Sequence, residues 1–140
     1  MNVRVFVFLL FSVSVVAAIG CSDKVPMRGK VTFSDDQSPL TAGTVTFQSD
    51  TVLARGDLQP DGTYVLGTLK QADGIPKGTY HVTISDTMGM FTRGGERIIG
   101  PPPPLPPGEI IMRPLIAPME PKTVVVDGTQ REFNIVVDRP

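Results

Sequence analysis

The fold of this 140-residue chain is decided by the stretch GTYHVTI at residues 78–84, in which polar and apolar residues alternate. A period of two is typical of a β-strand, because successive side chains point to opposite faces of the sheet. Tyr80, Val82 and Ile84 are therefore expected to face a core, whereas His81 is expected to face solvent. The stretch predicts a strand that is buried on one face only.

Similar short bursts of alternation lie on both sides of this stretch, separated by Gly, Pro and Asp. The predicted strands are 25–33, 44–48, 52–58, 63–66, 78–84, 122–126 and 132–137. Asp61-Gly62 and Asp127-Gly128 predict tight turns, since glycine adopts the positive φ that such turns need, and the second turn is expected to join the last two strands as a pair. No helical period persists. The pattern predicts an all-β fold, a single seven-stranded β-sandwich over residues 25–140.

The first twenty residues have the layout of a secretory signal peptide. Met1–Arg4 carries one positive charge, and Val5–Ala18 is apolar and uncharged. A transmembrane helix needs about 20 apolar residues, and Ser12 and Ser14 interrupt this shorter run. We therefore expect cleavage before Cys21 and export of the remaining chain.

The residues around Cys21 resemble the lipobox of bacterial lipoproteins, in which a small or aliphatic pair and Gly or Ala precede an invariant cysteine. Here the preceding residues are Ala-Ile-Gly at 18–20, whereas the family prefers Leu at the first of these positions. The resemblance implies a diacylglyceryl thioether on Cys21, cleavage after residue 20 and acylation of the new amino group. Two or more acyl chains anchor a protein stably, whereas one chain gives marginal binding.

The lipobox resemblance divides the chain into a signal peptide at residues 1–20, a lipidated tether at residues 21–24 and a domain at residues 25–140. Ser22 follows the cysteine in place of Asp, which by resemblance to lipoprotein sorting favours an outer membrane in a cell that has one. The alternative is an ordinary signal peptide that is cut nearby and leaves Cys21 unmodified.

The charged residues and the single cysteine exclude two classes of protein. The chain has 13 basic and 14 acidic residues, a formal net charge of -1, and no basic cluster. Nucleic-acid binding requires clustered Lys and Arg to neutralise phosphates, so no nucleic acid is expected as a partner. One cysteine cannot form a disulfide framework, and the fold must therefore be held by packing alone.

Four segments resemble the carboxypeptidase-regulatory-like, or transthyretin-like, domain that occurs in short secreted bacterial lipoproteins. They are Arg28–Val31, Pro39–Phe47, Asp61–Leu66 and Pro76–Val82, and the resemblance extends over most of residues 25–137. It implies a β-sandwich of that type. The motifs consist of turn residues and tyrosines that are expected to be buried. They indicate the fold, and a fold alone does not indicate a function.

Known catalytic relatives of this domain have features that the chain lacks. Transthyretin-like hydroxyisourate hydrolases use several histidines, an arginine and a Tyr-Arg-Gly-Ser ending, whereas this chain has only His81 and ends Val137-Asp138-Arg139-Pro140. A lone histidine without spaced partners does not predict a metal site, and Asp57 and Asp61 lack the oxygen spacing of a calcium loop. We expect no enzyme activity, no cofactor and no metal.

Lys30 and Asn134 resemble the Lys-Asn pair of isopeptide-crosslinked adhesin domains. Alternation puts both residues on the polar faces of their strands, whereas the crosslink needs a buried, desolvated lysine with a helping acid. No crosslink is therefore expected.

Residues 91–107 form a Pro-rich loop without a clear place in the predicted sandwich. Gly94-Gly95 and the prolines at 101–104 and 106–107 lie in it. Consecutive prolines favour an extended helix that suits either a recognition strand or a stiff spacer. The flanking methionines would either line a binding surface or fill an irregular core edge; they are Met88, Met90, Met112 and Met119.

Together these features predict an extracytoplasmic lipoprotein that is anchored to the cell membrane or outer membrane through Cys21 and acts as a non-catalytic binding or structural module at the cell envelope. An envelope protein or a polysaccharide is the expected partner. Two alternatives remain open. One is a small envelope enzyme or ligand carrier with a pocket near residues 91–112, and the other is a subunit that adds a strand to a neighbour at an open sheet edge.

Overall fold

A computed structural model describes residues 23–101, 104 and 108–140. The predicted signal peptide and Cys21 lie outside these residues, as does most of the proline run. The described residues form twelve β-strands: β1 Lys24–Val25, β2 Arg28–Phe33, β3 Thr44–Gln48, β4 Leu53–Asp57, β5 Thr63–Val65, β6 Ile75–Pro76, β7 Gly78–Ser85, β8 Met88–Thr92, β9 Arg97–Ile98, β10 Ile110–Pro114, β11 Lys122–Val126 and β12 Ile135–Val137. Within the described ranges, no helix is long and apolar enough to span a bilayer.

The strands form four sheets, and the all-β prediction is confirmed. A four-stranded antiparallel sheet has the order β11-β7-β3-β4, and a three-stranded sheet has the order β12-β2-β5. Small sheets are formed by β10-β8-β9 and by β1-β6. Eight of the twelve strands correspond to predicted ones, since β1 and β2 together replace the predicted first strand; β6, β8, β9 and β10 are additional, so the count differs from the predicted seven.

One hydrophobic core lies between the two larger sheets. Phe47 on β3 is fully buried, and its ring centroid lies 6.2 Å from that of Tyr80 on β7 and 5.8 Å from that of Phe133 ahead of β12. On β7 the predicted alternation is confirmed, because Tyr80 and Val82 are buried whereas His81 is exposed. Aromatic contacts of this kind add to the burial of apolar surface between the sheets.

The predicted first strand is divided in two at Pro26. β1 pairs with β6, whereas β2 pairs with β5 on one side and with β12 on the other. Proline has no N–H to donate to a ladder, so it favours a change of partner strand at this point. Val25 and Met27 flank the break and are both buried, as the alternation predicts.

The last two strands do not pair with each other, contrary to the prediction. The turn at Asp127-Gly128 forms as expected, with Gly128 at φ 93° and the Asp127 carboxylate accepting a hydrogen bond from the Thr129 N–H at 2.8 Å. β11, however, pairs with β7, and β12 pairs in parallel with β2. Alternation in the sequence indicates which face of a strand is buried, but it does not indicate which strand lies beside it. After this turn the chain crosses from one sheet to the other.

The two small sheets lie at opposite ends of the sandwich. One residue separates β6 from Gly78 at the start of β7, and two residues separate Ser85 at the end of β7 from the start of β8. β7 has eight residues, which corresponds to about 25 Å of extended strand. We call the end with β1, β6 and residues 67–74 the entry end, and the end with β8, β9 and β10 the far end.

Candidate functional site

At the entry end, the first described strand is fixed to a loop by an ion pair. The Lys24 Nζ donates hydrogen bonds to the Asp73 Oδ2 at 2.5 Å and to the Thr68 Oγ1 at 2.8 Å. Cys21 precedes Lys24 by three residues, a distance of at most about 11 Å along an extended chain. The predicted lipid attachment point itself lies outside the described residues, but covalent geometry keeps it near the entry end.

At the far end, residues 88–114 include a sheet where a Pro-rich loop was predicted from residue 91. β8 and β9 form a hairpin around the Gly94-Gly95 turn, in which the Thr92 N–H donates to the Glu96 carbonyl at 2.7 Å. β10 pairs with the other edge of β8, and the Arg93 N–H donates to the Glu109 carbonyl at 2.9 Å. Residues 91–92 and 97–98 of the predicted loop therefore lie in strands, whereas most of the proline run lies outside the described residues.

One face of the far-end sheet packs on the sandwich. Phe91 is half-buried against the core, and the Arg97 Nη2 on the same face donates to the Thr41 Oγ1 at 2.8 Å. The Leu115 N–H donates to the Thr87 carbonyl at 2.7 Å, and the Leu115 side chain is buried. These contacts fix the sheet to the end of the sandwich.

The opposite face of this sheet is mostly apolar; Met88 and Met112 are exposed on it, whereas Met90, Ile98 and Ile110 are half-buried. Met90 pairs across the ladders with both Met112 and Ile98, so the three side chains share a face, and Met88 and Ile110 join them by alternation. Met88 is 47% exposed and Met112 is 53% exposed. We call these five residues the methionine face. Of the two interpretations of the methionines, the binding surface fits Met88, Met90 and Met112, whereas Met119 packs against the core.

The remaining candidate residues do not converge on a site. His81 is exposed, with its Nδ1 3.4 Å from the Thr123 Oγ1. The Asp61 carboxylate accepts hydrogen bonds from the Thr63 N–H at 3.0 Å and Oγ1 at 2.6 Å, which lower the pKa of Asp61 and explain the residue as part of a turn. In the part of the chain that is described, no three His, Cys, Asp or Glu side chains are grouped as metal ligands would be.

Lys30 and Asn134 are neighbours, but both are exposed. The Lys30 backbone N–H donates to the Asn134 Oδ1 at 2.9 Å, and the Asn134 Nδ2 donates to the Glu132 Oε1 at 3.0 Å. Asn134 thus bridges β2 and the segment before β12 through hydrogen bonds. The environment differs from the buried one that a reactive lysine requires.

The two tyrosines hold the sandwich together through their hydroxyls. The Tyr64 Oη donates to the Phe133 carbonyl at 2.5 Å, and the Tyr80 Oη donates to the Pro76 carbonyl at 2.8 Å. Both rings are buried, and burial raises the pKa of each phenol. Each hydroxyl satisfies a backbone acceptor, which is a structural role.

Several depressions in the described surface lie outside the predicted pocket region at residues 91–112. One is lined by Pro26, Met27, Arg28, Val65 and Arg131 near the entry end. Others are lined by residues 117–122 with 136–138, and by His81 with its neighbours on β3 and β11.

The sequence interpretation missed the contact between Lys24 and the loop at residues 67–74. Asp73 lies 49 residues after Lys24, and no spacing rule joins the two. The available signal was the cluster Gly67-Thr68, Ala72-Asp73-Gly74, which is rich in turn-forming residues.

No protein-family model matches this chain, and no curated protein matches it. Among solved structures, it is similar to BcpA, the major pilin subunit of Bacillus cereus, with a TM-score of 0.54 and 8% sequence identity. The similarity covers 83% of this chain and 30% of the pilin chain, so this chain spans less than a third of the pilin's length. The likeness concerns the fold, and it agrees with the all-β architecture.

Proposed function

We propose that this chain is a bacterial lipoprotein that holds a β-sandwich of the carboxypeptidase-regulatory-like, or transthyretin-like, type at the outer face of a membrane, as a non-catalytic binding or structural module of the cell envelope. In this proposal, Cys21 carries the lipid, residues 1–20 are the signal peptide and residues 21–24 are the tether. The methionine face meets an envelope protein or a polysaccharide.

The observation that carries the proposal is the separation of the two ends. The chain enters the sandwich at β1, three residues after Cys21, whereas the methionine face lies beyond the opposite end of β7. A domain anchored at its entry end would therefore hold an apolar surface away from the bilayer. Contiguous exposed apolar surface of this kind is typical of interaction sites.

The fold likeness supports a structural role. BcpA is a major pilin subunit, so a β-rich fold of this general kind serves there as a building unit. Measurable turnover of a substrate by the purified protein would contradict the non-catalytic part of the proposal.

The anchor is tested by Cys21→Ala in the native host. The variant is expected to lose membrane association or to accumulate as an unprocessed precursor, because the thioether and the cleavage that follows it both depend on the sulfur. Ser22→Ala is the matched control and is expected to be processed and lipidated normally. For both variants, fractionation measures membrane association and intact mass measures processing and lipidation. If Cys21→Ala is processed normally and its detergent partitioning is unchanged, the proposed anchor is wrong.

The binding surface is tested by photocrosslinking in whole envelopes. A photoreactive residue at Met112 on the methionine face is expected to capture a partner, whereas one at Val65, which is exposed on β5 in the sandwich, is the control. Equal capture at both positions would contradict the assignment of the surface. Replacing residues 101–107 with a Gly/Ser segment of equal length keeps β9 and β10 joined while removing the proline run, and unchanged capture at Met112 would reject that run as the contact.

A further inference from the structure

The loop at residues 67–74, which we call the entry loop, carries an apolar side chain at its tip. Leu69 is 89% exposed, the highest value among the exposed large hydrophobic residues of the described chain. Lys70 beside it is also exposed. An apolar and a basic side chain side by side at a loop tip are suited to the boundary between lipid headgroups and acyl chains.

We propose that the entry loop rests on the bilayer, with Leu69 at the headgroup–acyl boundary and Lys70 against lipid phosphates. This inference rests on the proposed lipid anchor at Cys21. It adds a second, non-covalent contact with the membrane, and it assigns the orientation of the domain.

The entry loop lies beside the point where the tether joins the domain. Lys24 contacts Thr68 and Asp73 directly, and Leu69 follows Thr68 in the chain. Cys21 is at most about 11 Å of extended chain from Lys24. A lipid on Cys21 therefore keeps the entry loop close to the bilayer surface.

The backbone of the entry loop is held in place by hydrogen bonds to Asp73. The Asp73 carboxylate accepts hydrogen bonds from the backbone N–H groups of Thr68 at 2.6 Å, Leu69 at 3.4 Å and Lys70 at 3.3 Å, and from the Lys24 Nζ. These bonds lower the pKa of Asp73 well below its ordinary value of 3.8, with the Lys24 hydrogen bond the largest cause. Leu69 thus projects from a preformed loop, which reduces the entropy that docking would cost.

The charges of the entry end also favour contact with a membrane. The acidic group of the entry loop, Asp73, is already paired with Lys24, so the charge of Lys70 remains available. Lys77 is also exposed at the entry end. Basic side chains close to an anionic membrane surface are attracted to it within a Debye length.

The short tether also favours lipid over protein as the occupant. A packed layer of helix or sheet is about 10 Å thick, comparable with the whole reach of the tether. A protein placed between the entry loop and the bilayer would have to fill that space completely. The lipid surface needs no such intermediate layer.

The test uses the lipidated full-length protein reconstituted in vesicles of phosphatidylethanolamine and phosphatidylglycerol that contain bromolipids. Because lipidation occupies the sulfur of Cys21, Leu69→Cys provides the single thiol for an environment-sensitive fluorophore. Ile99→Cys is the matched control, since Ile99 is 86% exposed and lies at the far end. We expect a blue-shifted, strongly quenched probe at position 69 and an unshifted, unquenched probe at position 99.

Three outcomes would overturn the inference in different ways. If the protein floats with the vesicles but the probe at position 69 stays unquenched, the loop contact is wrong and the anchor stands. If both probes are quenched, the domain lies flat on the membrane and the end-on orientation is wrong. If the protein does not float and Cys21 itself accepts the label, the proposed function fails and the inference falls with it.

The role of Lys70 is tested in the Leu69→Cys background. Lys70→Glu is expected to lose much of the quenching in these anionic vesicles while flotation stays unchanged, because the new carboxylate is repelled by lipid phosphates. Quenching equal to that of the parent would refute the contact between Lys70 and phosphate.

Discussion

Gly29 marks the closest approach between β2 and the segment that leads into β12. A Cβ added at this position would lie 1.9 Å from the Phe133 carbonyl oxygen and 2.8 Å from the Tyr64 Oη, whereas such contacts in proteins are essentially never under 3.0 Å. Both neighbours are held, because the Tyr64 Oη donates to that same carbonyl and the Phe133 N–H donates to the Arg28 carbonyl at 2.9 Å. Gly29→Ala must therefore separate β2 from residue 133 by about 1 Å.

The loss of stability has two causes, which are the strain of overpacking and the loss of the hydrogen bond to the Phe133 carbonyl. Overpacking of a core typically costs about 1–3 kcal/mol, and a buried carbonyl that loses its donor adds about 1 kcal/mol or more. We expect a total loss of about 2–4 kcal/mol in the free energy of unfolding. For a domain of this size, each kcal/mol lowers Tm by about 4 °C, so Gly29→Ala should unfold about 8–16 °C below the parent.

Thermal unfolding of the detergent-solubilised chain, followed by far-UV circular dichroism, measures this effect. Gly94→Ala is the matched control: in the β8–β9 turn its added Cβ would meet only the Thr92 Oγ1, at 3.7 Å. Its free energy of unfolding is expected to stay within about 0.5 kcal/mol of the parent. If Gly29→Ala and Gly94→Ala unfold at the same temperature, the close approach of β2 to Phe133 is refuted.

Three further changes test the core and the entry end. Tyr64→Phe removes the donor to the Phe133 carbonyl and should cost about 1–2 kcal/mol in unfolding free energy by urea denaturation. Phe47→Ala empties the centre of the sandwich and should cost about 3–5 kcal/mol, with the unfolding midpoint as the measurement. Asp73 has a lowered pKa in the fold, chiefly through Lys24, so its contribution to stability is complete above the ordinary value of 3.8 and is lost as the pH falls below it. Asp73→Asn should therefore be less stable than the parent at pH 7, and the difference should shrink on acidification.

For each of these three variants, one result would contradict the prediction. An unchanged urea midpoint for Tyr64→Phe would mean that the phenol is not the donor to residue 133. A loss of under about 1 kcal/mol for Phe47→Ala would place that ring at a surface. The stability difference between Asp73→Asn and the parent is the third test. If it stays constant from neutral to acid pH, the negative charge of Asp73 does not stabilise the loop.

The faces of the main strands could be predicted from sequence, because burial alternates locally along them. Tyr80 and Val82 are buried and His81 is exposed, as the pattern around them indicates. The partners of the strands could not be predicted in this way. β11 and β12 follow each other across a regular turn, yet they belong to different sheets, since pairing depends on edges that residues far along the chain provide.

The far-end sheet was missed because its strands flank a proline run. Met88–Thr92 and Ile110–Pro114 pair across seventeen intervening residues, and the prolines there suggested a loop throughout. Only the Gly94-Gly95 turn between two short apolar segments indicated a hairpin. The methionine face is therefore a product of tertiary pairing, whereas the signal-peptide pattern before Cys21 is a local feature that the sequence displays directly.

The parallel pairing of β2 with β12 determines when the sandwich can be completed. Lys30 and Asn134, which hydrogen-bond across this pair, are 104 residues apart, so β2 leaves the ribosome or a translocation channel long before its neighbour. Closing so long a loop is entropically costly and makes folding slow. During that delay one edge of β2 is open to strands of other chains. A nascent chain that stops before Ile135 should therefore self-associate, and its survival in the cell should depend on a chaperone that covers this edge.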